Sequence, residues 1–198
     1  QGLFGYSDGG VVKNLGVTSA DINVKKGERF NANQDAGVLI GHNVGTIIRC
    51  YTTGQITGHH ITGGLVGFNQ YVIEDSFSRV DTEAYNSVGG LVGDNYWEIK
   101  NSYSTGDVSV LSGTISDPDK GGLVGYQGDY GTRTENSFWD TETSGMTTSP
   151  GGTGKTTSEM KTESTFTDAG WDFDTYWKID STNDGYPSIK YNSPPIID

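Results

Sequence analysis

Cys50 is the lone cysteine among 198 residues, so the chain cannot close a disulfide on itself. Apolar residues are scarce as well, at 32% beside 30 glycines, which is poor in core-formers for an ordinary globular domain of this length. No apolar run approaches the roughly 18 residues that a membrane-spanning helix needs. Basic residues are outnumbered, 13 against 25 acidic ones, and the resulting charge of −12 repels nucleic acid and anionic membranes at long range. No asparagine opens an Asn-x-Ser/Thr sequon. The chain starts at Gln1 without Met or a charged-plus-apolar leader, and so reads as a processed product or a piece of something longer.

What is present is periodic. Glycine-bounded apolar cores recur at Gly2-Leu3-Phe4-Gly5, Leu39-Ile40-Gly41, Gly64-Leu65-Val66-Gly67, Gly90-Leu91-Val92-Gly93 and Gly122-Leu123-Val124-Gly125. The closing glycines therefore advance by 36, 26, 26 and 32 residues, a unit of about 26 with two insertions. An isoleucine follows each central core at a fixed distance (Ile47, Ile73, Ile99), and then an aromatic (Tyr51, Phe77, Tyr103) preceded by a small residue (Cys50, Ser76, Ser102). The last copy delays this pattern to Asn136-Ser137-Phe138. Runs this short and β-rich cannot bury a face singly, but stacked in register they enclose a continuous interior.

The expected fold is all-β: a right-handed parallel β-helix of about five rungs, roughly 20 to 25 Å tall, with a C-terminal mixed cap. Helical periodicity is absent from the repeats, which disfavours a leucine-rich horseshoe. Cys50 takes a small-residue position and reads as inert packing. Arg49, aligned with Asp75 and Asn101, marks an outward or corner site, and Gly93 is expected at a corner of positive φ. After Asp140 the pattern changes. Residues 141–155 read as a Gly/Thr/Ser-rich loop, and Thr156 with Glu159 forms a capping box that starts a short helix. The aromatic-rich stretch within 156–191 is the expected cap over the open end, leaving 1–140 as the solenoid and 192–198 as a tail or linker.

These residues resemble the GLUG-motif repeat family of bacterial and archaeal surface proteins, which includes adhesin-like proteins and regions of IgA-cleaving metalloproteases. The resemblance is carried by Gly63-Gly64-Leu65-Val66-Gly67-Phe68-Asn69, Gly89-Gly90-Leu91-Val92-Gly93-Asp94-Asn95 and Asn101-Ser102-Tyr103-Ser104-Thr105-Gly106. The run Ser137-Phe138-Trp139-Asp140, with Gly151-Gly152-Thr153-Gly154-Lys155-Thr156 and Gly185-Tyr186-Pro187, looks like the stretch that closes such arrays. It implies a surface-displayed repeat module and is specific for fold rather than for function.

Chemical motifs are sparse. Gly154-Lys155-Thr156 lacks the glycine five residues earlier, where Ser149 stands, so no phosphate loop is formed. His42, His59 and His60 lack the spacing of a zinc protease helix. Asp180, Thr182 and Asp184 before Gly185 match the first half of a calcium loop, but its twelfth position is Tyr191; Asp140, Glu142 and Ser144 show the same partial pattern. Ordinary Asx turns compete with both readings. The aligned acids are too scattered to name a glycosidase pair, and no enzyme is expected. No cofactor other than this possible calcium is expected.

Tyr6, Phe68 and Tyr126 follow closing glycines and, if outward, form a strip suited to stacking on sugars. The expected function is that of an extracellular, prokaryotic surface module, structural or adhesive, binding a cell-surface glycan or protein. A filament subunit is the alternative, with Gly2, Leu3 and Phe4 as an open edge and Ile189, Ile196 and Ile197 in a donor strand. A polysaccharide-acting β-helix enzyme is the lesser one.

Overall fold

The computed structural model describes residues 1–24, 34–112, 118–129 and 131–191. The chain coils through four parallel sheets, visited in the same order on each turn. Sheet I stacks Phe4–Ser7, Ile40–Asn43, Val66–Asn69, Val92–Asn95 and Val124–Gln127. Sheet II runs from Val11–Lys13 to Arg133–Glu135, and sheet III from Gly16–Asn23 to Phe138–Asp140 with Thr153–Lys155 added beyond it. Sheet IV contains Asp35–Gly37, Ile61–Gly63, Ser87–Gly89 and Asp119–Gly121. The result is a parallel β-solenoid of four complete turns and part of a fifth, as the spacing predicts.

Register follows the repeat residue for residue. Ile73 sits between Ile47 and Ile99, and Phe77 between Tyr51 and Tyr103. The first turn obeys it too, pairing Phe4 with Ile40. Leu39, Leu65, Leu91, Leu123 and the isoleucine column are buried completely in the interior. Each contributes roughly 1.5–3 kcal/mol of apolar burial. Tyr51, Phe77, Tyr103 and Phe138 instead point outward from sheet III, since their neighbours Thr52, Ser78 and Ser104 turn inward against Gly64 and Gly122.

The corners correct one expectation. Asn14, Arg49, Asp75, Asn101 and Asn136, between sheets II and III, all adopt left-handed backbone with φ of 46° to 55°. Asparagine and aspartate tolerate this conformation best among residues with a Cβ. The next residue braces the corner: Ser76 and Ser102 Oγ each donate to the carbonyl two residues back and accept from the backbone N–H of the preceding turn. Cys50 holds the same buried position, where burial pushes its thiol up to about 11.

Gly93, by contrast, has no positive φ; it is required by close approach. A Cβ there would stand 2.8 Å from Gly67 O and from Thr62 N, and one on Gly63 only 2.6 Å from Gly93 N. The motif glycines thus let the backbones of sheets I and IV meet.

The C-terminal cap also divides its work differently from the expectation. The loop at 141–155, rather than the aromatic stretch, closes the end of the solenoid. Thr148 O accepts from Gly122 N, Ser149 Oγ accepts from Leu123 N and Val124 N, and Trp139 fills the interior of the last turn. Helix α1 (Thr157–Met160) begins at the predicted capping box, and helix α2 (Glu163–Thr167) follows. Phe166, Trp171, Trp177 and Tyr186 then lie along the side of sheet III, over Phe77, Tyr103 and Phe138. An outward aromatic column needs such a cover, which an interior column would not.

Candidate ligand-binding face

Sheet I carries a second outward column, and no described segment covers it. Tyr6, His42, Phe68, Asp94 and Tyr126 are register partners. Three of these are the residues expected to form a strip, and the structure brings them into one. At Asp94 the missing ring is supplied by Tyr96, two residues on. The rings run Tyr6, His42, Phe68, Tyr96, Tyr126 with centroid steps of 5.1, 4.7, 5.0 and 5.9 Å. Beside them Tyr71 and Trp97 lie parallel, 6.5 Å apart. Tyr6, Tyr71, Tyr96 and Trp97 remain 38–58% exposed. Aromatic rings with polar tips gathered on one exposed face are what a recognition surface requires.

The face is held from beneath by amides. Ser7 Oγ donates to Asn43 Oδ1, Asn43 Nδ2 to Asn69 Oδ1, and Asn69 Nδ2 to Asn95 Oδ1, at 2.7, 2.8 and 2.8 Å. Each amide also donates to a carbonyl two residues on: Gly45, Tyr71 and Trp97. The buried column therefore shapes the turns that present Tyr71 and Trp97. These asparagines and Tyr96 were missed in the sequence, although Asn43, Asn69 and Asn95 all stand two residues after a closing glycine.

Electrostatics on this face come from buried acids. Burial pushes Asp94 up to about 6, opposed by its hydrogen bond from Ser87 and reinforced by Asp119 and Asp35. Asp35 is likewise raised by burial, against a 3.1 Å contact with His42 Nδ1. His42 Nε2 lies 3.0 Å from Gln70 Oε1.

The remaining candidate residues are placed elsewhere. Asp180 is bound by Lys178 Nζ at 2.6 Å and caps a short 3-10 turn, while Asp184 faces Arg79 and Lys161. Asp180, Thr182 and Asp184, the residues matched to a calcium loop, thus each have a protein partner. Among the described residues no group of three His, Cys, Asp or Glu side chains is arranged to hold a metal. Asp140 is buried and accepts from Glu142 N, Thr157 Oγ1 and Tyr186 Oη, tying the loop to the cap. Gly2, Leu3 and Phe4 lie on the outer edge of sheet I, with Leu3 and Phe4 exposed. Ile189 pairs with Trp177 in the cap and is buried, so it is not free to act as a donor; Ile196 and Ile197 lie outside the described residues.

Fold and face define a class: a parallel β-solenoid repeat protein with one aromatic column covered and one open. The chain carries the GLUG motif, whose family profile matches residues 84–109. That span is a single turn, from the end of one sheet III strand to the next. The chain is also 51% identical over 69 residues to a protein of Evansella cellulosilytica described as a putative Gly-rich membrane protein. The match spans 34% of this chain and 8% of that relative. No solved structure matches the chain. Among the described residues no helix is long and apolar enough to cross a membrane.

Proposed function

We propose that this chain is a non-catalytic adhesive module displayed outside a prokaryotic cell, binding a surface glycan through the aromatic face of sheet I. One contrast carries the reading. The aromatic column of sheet III is buried from Phe77 to Phe138 under the chain's own Phe166, Trp171 and Trp177, whereas the column of sheet I has no such cover among the described residues, with Tyr6 and Tyr96 exposed and His42, Phe68 and Tyr126 half-buried. Contiguous exposed aromatics of this kind mark interaction surfaces. The relative's description as a membrane protein supports display at a surface. The non-catalytic reading draws support from the buried carboxylates, since Asp75 holds Trp177 and Asp140 holds Tyr186. The charge of −12 favours neutral over anionic glycans.

An array of glycans and matrix proteins, probed with the wild type and with Tyr96→Ser/Trp97→Ser, tests this. Selective glycan signals lost in the variant are expected. Binding to proteins alone would replace the glycan by a protein ligand. Release of reducing ends from a polysaccharide would put an enzyme in its place.

End-to-end association is a second reading, favoured by the exposed Leu3 and Val11 beside the outer strands. Light scattering of the chain at high concentration tests it, and a strictly monomeric profile removes it.

A further inference from the structure

Asp94 interrupts the ring column of sheet I. Its register partners are Phe68 on the turn before and Tyr126 on the turn after, and the Tyr96 ring fills its place at 5.0 and 5.9 Å from theirs. A carboxylate is thus set among three aromatic rings. Oδ1 accepts from Ser87 Oγ. Oδ2 has no hydrogen-bond partner among the described residues and, unlike the shielded Asp35 Oδ1, is not closed to solvent. The residue keeps 9% of its surface exposed.

The charge of this group is not balanced from within the chain. Burial holds Asp94 at about 6, so it is ionised at pH 7. The charged groups that bear on it are Asp119 and Asp35, both acidic, which share the register column of Ser87 on sheet IV. The five strands of sheet I contain neither Lys nor Arg, and His42 is engaged by Asp35 and Gln70. A partly desolvated carboxylate without a counter-charge is unfavourable, and a bound cation offsets that cost. Aromatic rings beside it attract the same cation, and the chain's charge of −12 draws it in.

We propose that Asp94 makes the sheet I face a binding site for amino sugars: the ammonium of an unacetylated hexosamine pairs with Asp94 Oδ2, and its pyranose ring lies against Tyr96. This deepens the glycan reading of that face and rests on it. A divalent ion needs several oxygens together, and among the described residues no three acidic or histidine side chains converge to supply them.

Calorimetry on the full chain at pH 7 compares three β-1,4-linked tetrasaccharides that differ only at C2: glucosamine, N-acetylglucosamine and glucose. The glucosamine chain should bind about tenfold or more tighter than the other two. Asp94→Asn, of the same shape and still able to accept from Ser87, should bring the three to within about twofold of one another. Glu163→Gln, which removes one exposed negative charge on the sheet III side, should keep the preference. Equal binding of all three sugars by the wild type overturns the proposal and leaves the glycan reading standing. A preference that survives in Asp94→Asn, or that Glu163→Gln removes as well, also overturns it, by assigning the effect to net charge. If no tetrasaccharide binds while a Gly-Lys-Gly peptide does, the carboxylate serves a protein lysine and both readings fall; if nothing binds, the proposal falls alone and the glycan array decides the rest.

Discussion

Trp177 donates its indole N–H to Asp75 Oδ1 at 3.2 Å, a buried bond between residues 102 positions apart. Asp75 is one of the left-handed corner residues, so the corner that turns the chain also anchors its lateral cover. Asn136 does the same through its backbone, whose carbonyl accepts from Trp171 Nε1 at 2.8 Å. Two corners are thus tied directly to the lateral cover.

The corner conformation predicts an unusual substitution pattern. Asn136→Gly should be neutral within a few tenths of a kcal/mol, while Asn136→Val should cost roughly 1–3 kcal/mol because a β-branched residue is strained at φ 48°. Gly93→Ala, where space is lacking, should be worse than either. Urea midpoints of the three variants check the order.

The amide column predicts a large effect from a small change. Asn69→Ala removes its bonds with Asn43 and Asn95 and releases the turn at Tyr71. The loss should be about 3 kcal/mol, since buried amide groups are left unpaired. Chemical denaturation measures it, and a cost near zero would show that the column does not stabilise the fold.

Closure of the solenoid end rests on Ser149. Ser149→Ala strands the N–H groups of Leu123 and Val124 and should cost about 1–3 kcal/mol. Hydrogen exchange should speed up at residues 122–124 while the amides of the central turns keep their protection.

Asp94 gives a pH signature. Its folded value is about 6, above the unfolded one, mainly through burial. Between about pH 4 and 6 the folded state holds the proton more tightly than the unfolded chain, so this group's contribution to stability falls as pH rises. Asp94→Asn should keep the Ser87 contact and remove the titration. The gain in Tm of the variant over the wild type should therefore be larger at pH 7 than at pH 4; an equal gain at both would contradict the assignment.

Much of the fold was legible because a solenoid repeats its constraints. Leu65, Ile73 and Phe77 recur at one interval, and that interval is the register. The outward course of Tyr51, Phe77 and Tyr103 was not legible, because alternation shows that neighbours face opposite ways without saying which way is in. Arg49 gave no sign of its left-handed backbone, since arginine has no preference for it; only its register with Asp75 and Asn101 places it there. The role of 141–155 was hidden because it acts through backbone groups and one serine. On the candidate face, Tyr6, Phe68 and Tyr126 were found by alignment, whereas Tyr96 fills its place from two residues away and breaks the alignment.

The open column of sheet I is the core of the functional account, and an equilibrium titration tests it most directly. A glycan selected on the array is titrated against the wild type, Tyr96→Ser/Trp97→Ser and the corner variant Asn136→Gly, all confirmed folded. The account predicts about tenfold or greater weakening in the first variant, as expected on removing two central aromatic contacts, and wild-type affinity in the second. Undiminished binding by the Tyr96→Ser/Trp97→Ser protein would contradict it.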